Sequence, residues 1–214
     1  SKSYPYAILG DALVELGAYD EAARAYRDMT QHSGGIDTNG EPRLARLAFL
    51  HGDGAGAARH FTNALSIAIH LSIPPRETIA WCQWQLGETA FAEGRYEASE
   101  QYDREALASF PDYFRALGSL GRVRAARGDP RDAMVQYEAA IRRFPDPTYV
   151  AALGNLYALA GRDDDAAAQY ALVEVIGHLS AVNGVLYNRQ LALFYADHGI
   201  NAGEAYANAK REYA

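Results

Sequence analysis

The chain has 214 residues, of which 49% are hydrophobic and 22% charged, with a net charge of -7 at pH 7. That acidic balance argues against nucleic-acid binding, which normally needs a basic face, and no apolar run is long enough to cross a bilayer. The single cysteine, Cys82, excludes an intramolecular disulfide. Among the 20 basic residues only Lys2 and Lys210 are lysines, an arginine bias that points to GC-rich, bacterial coding. With no signal-peptide pattern at its start the sequence favours the cytoplasm. Ser1 opens inside what reads as a repeat, which leaves room for an upstream segment.

In chain order, the first predicted helix closes at Gly17, with Leu9 eight residues upstream and Gly10 after it. The same arrangement returns at Gly52 with Leu44 and Ala45, and at Gly94 with Leu86 and Gly87. It returns again at Gly128 with Leu120 and Gly121, at Gly161 with Leu153 and Gly154, and at Gly199 with Leu191 and Ala192. Successive glycines lie 35, 42, 34, 33 and 38 residues apart. A period near thirty-four, made of two amphipathic helices and a tight turn, predicts an all-α, right-handed helical-hairpin solenoid. About six repeats are expected in a single array, over residues 3–36, 38–74, 76–113, 114–146, 147–180 and 185–214.

Within each hairpin the glycine permits the left-handed backbone that ends the first helix. Asp20 and the run Asp163 to Asp165 are expected to cap second helices. Small residues five positions past the glycine (Ala22, Ala57, Ser99, Ala133, Ala166) should let the helices approach closely. A ring follows nine positions past it in four repeats: Tyr26, Phe61, Tyr137 and Tyr170. The long spacings, at SIAIHLSIPPRE and VEVIGHLSAVNGVLYNR, should each extend a second helix by about one turn and lengthen the following link. The turn-rich stretch over residues 34–42 should be a loop.

This pattern resembles the tetratricopeptide repeat family across nearly the whole chain. GETAFAEGRYEASEQYDREALASFP and GRVRAARGDPRDAMVQYEAAIRRFP follow its two-helix motif down to Pro111 and Pro145. The last repeat departs most, with Glu204 and Asn208 at the small and aromatic positions. The resemblance implies a protein-binding surface on the concave side, lined by the first helices. Some members grip a chaperone's terminal carboxylate through lysine, asparagine and arginine. Here Ala7 and Asp11 stand at the lysine and asparagine positions, which argues against that ligand.

Signals for catalysis or cofactors are weak. HGDGAGA, residues 51–57, follows a helix where a phosphate loop needs a strand. DTNG, residues 37–40, lacks the closing glutamate of a calcium loop. The six histidines show no metal-ligand spacing. The expectation is therefore a non-catalytic protein with no cofactor and no metal.

Residues thirteen, ten, six and three before each glycine share one helical stripe, because steps of three and four stay on one face. The candidate contacts on or beside that stripe are Asp11, Arg46, Phe49, Trp81, Trp84, Glu88, Phe91, Arg115, Arg122, Asn155 and Arg189. Aromatic and arginine side chains are the types that anchor interfaces. Trp81 and Trp84 could fill the longer junction after repeat two or contact a ligand, and the sequence leaves both open. The expected role is a scaffold holding a protein or peptide segment with apolar anchors flanked by acids. The rivals are a self-assembling module joined through its solenoid ends and a regulatory domain of a larger enzyme.

Overall fold

The computed structural model describes residues 3–32, 39–183 and 188–212, and among them it contains twelve α-helices and no strand. They are α1 Tyr4–Glu15, α2 Tyr19–His32, α3 Gly40–Leu50, α4 Gly54–Ile69, α5 Arg76–Ala92 and α6 Tyr96–Ser109. There follow α7 Phe114–Ala126, α8 Pro130–Arg143, α9 Pro147–Leu159, α10 Asp163–Asn183, α11 Asn188–Asp197 and α12 Ala202–Glu212. No described helix is long and apolar enough to cross a membrane. The chain divides into two compact units, with the boundary between Ser119 and Leu120 falling inside α7. In the first unit α1 packs on α2, α3 on α4 and α5 on α6, with α2 against α3 and α4 against α5. In the second, α9 packs on α8 and α10, and α11 on α12 and α9.

Each first helix stops because its glycine turns left-handed, with φ between 63° at Gly199 and 80° at Gly128. The next N–H then donates to the carbonyl five residues back, from Ala18 to Leu13 and from Arg162 to Tyr157, both at 2.9 Å. Those bonds satisfy carbonyls that a helix end leaves open. The capping position follows directly on the glycine: Asp53 accepts from the Gly56 N–H at 2.7 Å, and Asp129 from the Asp132 N–H at 3.1 Å. Asp20 and Asp163 to Asp165 therefore do not cap. They lie within the first turns of α2 and α10, where their charge suits the helix N-terminus. The predicted small positions are closed: Ala22, Ala57, Ser99 and Ala133 have 0% exposure and Ala166 has 3%.

The two long spacings divide differently from each other. α4 has 16 residues against 14 in α2, α6 and α8, so most of the first excess goes to the link and to a 17-residue α5. Pro74 and Pro75 in that link cannot continue a helix. No proline interrupts the later stretch, and α10 runs on to 21 residues, two turns longer than the others rather than one. Of the loop predicted over 34–42, residues 40–42 already belong to α3, while 33–38 lie outside the described residues. Leu186, a member of the predicted stripe, also lies outside them.

Candidate functional site

The site begins with how a hairpin closes. The ring nine residues past the turn glycine crosses back over the residue seven before it, and in three repeats only glycine leaves room. A Cβ on Gly10 would lie 2.2 Å from Cε1 of Tyr26, on Gly121 2.9 Å from the Tyr137 ring, and on Gly154 2.5 Å from Cε1 of Tyr170. In hairpins one and five the ring's hydroxyl reaches the stripe position six before the glycine. Tyr26 donates to Oδ1 of Asp11 and Tyr170 to Oδ1 of Asn155, both at 2.8 Å. Asp11 further accepts from Nε of Arg43 at 2.9 Å and from its Nη2 at 2.8 Å. Burial raises the Asp11 pKa, but the hydrogen bonds from Arg43 and Tyr26 outweigh it and hold the carboxyl below its usual value. Asn155 also sits 2.8 Å from Nε2 of His198. These two stripe residues are committed to the fold.

Hairpins two and three carry no hydroxyl at the ring position, where Phe61 and Asp103 stand. There a cavity of 270 Å³ opens among α3, α4 and α5, lined by Arg46, Phe49, Phe61, Trp84, Gln85, Glu88 and Thr89. Phe61 and Thr89 are buried, whereas Phe49 is 44% exposed. The Trp84 ring is held by the Arg115 guanidinium, 5.3 Å from its centroid, and by the edge of Tyr113 at 6.3 Å. Glu88 accepts from the Ser119 hydroxyl at 3.0 Å. Arg46 pairs with Glu15 at 3.2 Å, but the two side chains are 63% and 73% exposed. A pair so open to solvent is weak and exchanges partners easily.

Four of the predicted contacts, Arg46, Phe49, Trp84 and Glu88, thus line one cavity, and Arg115 braces its wall. Trp81 instead meets Phe61 edge-on at 5.7 Å and packs against two core clusters, so it fills the junction. Phe91, expected beside Trp84, packs on Tyr96 at 5.2 Å and is not among the residues lining the cavity. Val14 and Ala7 of the stripe are 7% exposed and belong to the core. Arg122, Asn155 and Arg189 lie in the second unit, Arg122 partly buried and Arg189 exposed. Phe61, Gln85 and Thr89 were not anticipated. The legible signal was Phe61, the one predicted ring without a hydroxyl. Cys82 is 1% exposed, and burial pushes its thiol up to about 11, away from reactivity at neutral pH. Among the described residues no three His, Cys, Asp or Glu side chains gather to hold a metal ion.

Residues 90–156 match the tetratricopeptide repeat family, and solved structures of such proteins align over most of the chain. The chain carries tetratricopeptide repeat sequence at residues 90–156. The pilF structure from Pseudomonas aeruginosa is 18% identical and aligns with 98% of this chain and 89% of its own at a TM-score of 0.67. A thermophilic TPR protein of Thermus thermophilus is 23% identical over 80% of this chain and 89% of its own, with a TM-score of 0.60. MamA of Desulfovibrio magneticus is 16% identical over 83% and 96%, with a TM-score of 0.61. No curated protein matches the sequence. At such identities the likeness is one of fold, the all-α helical-hairpin solenoid of tetratricopeptide repeats.

Proposed function

We propose that this tetratricopeptide repeat protein is a non-catalytic scaffold that binds a protein segment on the face of its first helices. The cavity among α3, α4 and α5 takes one apolar anchor side chain. The observation that carries this reading is the cavity itself, open where the ring positions lack a hydroxyl. Its 270 Å³ falls just below the roughly 300–1,000 Å³ of small-molecule sites, which suits a single large side chain better than a free metabolite. Phe49 and Trp84 offer desolvated contact. Arg46 and Arg115 remain exposed while Glu88 is engaged by Ser119, so the anchor's neighbours in the partner are acidic. Asp11 supports the arrangement by holding Arg43.

Selection from a randomised peptide library tests the proposal. Enriched sequences should carry an aromatic or large aliphatic residue beside Asp or Glu. Binding should fall moderately with salt and at least about tenfold in the Phe49→Ala, Trp84→Ala double variant. Unchanged affinity in a double variant that retains its helical circular dichroism would put the site elsewhere.

A further inference from the structure

Two guanidinium groups stand at the cavity among α3, α4 and α5, and they are held in different ways. Arg46 already has a carboxylate, that of Glu15. Arg115, in the first turn of α7, is exposed. Its Cζ lies 5.3 Å from the centroid of Trp84 and 5.1 Å from that of Phe114, so the flat group is held against two aromatic rings. Among the described residues no carboxylate pairs with it. Glu77 of α5 acts on the neighbouring Tyr113 by charge but makes no ion pair with Arg115. A guanidinium braced by rings keeps its fork of N–H donors oriented without spending the fork on the protein. A second polar group at the cavity is also unspent. Gln85 lines it, and among the described residues its carboxamide makes no hydrogen bond, whereas its backbone carbonyl accepts from the Thr89 hydroxyl at 2.9 Å.

Given a partner segment anchored in the cavity as above, we propose that it binds in extended form and places an aspartate or glutamate side chain, two residues from the apolar anchor, on Arg115. Charge selects the acid. An unpaired planar guanidinium takes a carboxylate through two parallel N–H···O bonds, a match that no neutral side chain makes. One guanidinium balances one negative charge, so a carboxylate fits it better than a more highly charged phosphate group. Gln85 selects the backbone form. A carboxamide both donates and accepts, so it can pair with the C=O and N–H of the segment's backbone. A helical segment has spent those groups on itself, and an extended one has not. In an extended segment, adjacent side chains point to opposite sides, and those two apart share a side at about 6.6 Å. Arg115 stands one indole ring from the cavity, 5.3 Å from the Trp84 centroid, a separation of that order. An acid next to the anchor would face away, and one four residues off would overshoot at about 13 Å. Arg115 therefore sets the sequence preference of the site, and Gln85 holds the segment's backbone.

Calorimetric titration of the chain with a peptide selected from the randomised library, both peptide ends capped, tests this. Replacing the peptide's acid by its amide should weaken binding to the wild type at least about tenfold, and to Arg115→Ala by less than about twofold. Arg115→Lys should recover little of the loss, because an ammonium group lacks the fork. Moving the acid to one, three or four positions from the anchor should cost as much as removing it. Gln85→Ala should weaken every binding peptide by a similar factor, since it holds backbone and not sequence. Circular dichroism should be unchanged, because Arg115 is exposed and the Gln85 carboxamide is bonded to no described residue. The positional scan uses the wild type alone, so it decides the matter even where a variant fails to fold. Equal losses in the wild type and Arg115→Ala would overturn the assignment and leave the anchor cavity standing. So would a preference for an acid three or four residues away, tighter binding of a phosphorylated residue in its place, or a demand for a free C-terminal carboxylate. A library that yields no binder would overturn both readings.

Discussion

Hairpins one and five and hairpins two and three share a turn and a helix pair, but they differ in whether the closing side chain carries a phenolic hydroxyl. Tyr26 and Tyr170 end in hydroxyls that hydrogen-bond Asp11 and Asn155 on the stripe, and Phe61 and Asp103 have no phenol to offer. Where the hydroxyl is present, the stripe residue is absorbed into the fold. Where it is absent, the stripe residues Arg46 and Glu88 line a cavity instead. A repeat array can thus open a cavity locally, by omission, without altering its backbone plan.

The largest expected effect tests the close approach itself. Gly121→Leu should lower stability by roughly 1–3 kcal/mol, because the Tyr137 ring already occupies the space. In contrast, Gly203→Ala on α12 meets nothing within 4 Å and should be neutral or stabilising by up to about 1 kcal/mol. Urea denaturation of both variants gives the two signs. Equal losses would mean that the ring-over-glycine contact is not what requires the glycine.

Next in size are the hydroxyls. Tyr26→Phe and Tyr170→Phe should each cost about 0.5–1.5 kcal/mol, the net worth of a typical hydrogen bond. The reverse change, Phe61→Tyr, should leave stability nearly intact while weakening selected peptides several-fold, by putting a polar atom into the cavity wall. Calorimetric titration of one selected peptide against the wild type and Phe61→Tyr checks this. Tighter binding by Phe61→Tyr would contradict the role assigned to the missing hydroxyl.

A smaller effect appears with pH. The Asp11 carboxyl has a native pKa below its unfolded value, so its stabilisation is fully present above the ordinary carboxylate range near pH 4 and is lost as pH falls through the lowered native value. Stability measured from pH 6 down to pH 2.5 should show a shallower decline in Asp11→Asn than in the wild type. Smallest of all is Arg46→Ala. Its pair with Glu15 is largely exposed, so the change should stay within about 0.5 kcal/mol, whereas Asp11→Ala, which unties Tyr26 and Arg43, should exceed it. Equal costs would erase the distinction between committed and open stripe residues.

Residue spacing alone was enough for the helical hairpins, the left-handed glycine turns and the small positions at Ala22, Ala57, Ser99, Ala133 and Ala166. These features follow from spacing along one chain: a helix repeats every 3.6 residues, and a left-handed turn favours glycine. Spacing also shows which residues share a side of a helix, which is why Arg46, Phe49, Trp84 and Glu88 could be named together. It does not show what approaches that side. That Trp81 fills a junction while Trp84, three residues on, walls a cavity depends on the packing of neighbouring helices. The same holds for Phe91, which turns to Tyr96, and for Asp11, whose carboxylate is taken by Tyr26 and Arg43. In each case the deciding atoms come from a different helix, and the distance between helices is set by packing, which no periodicity within one of them encodes.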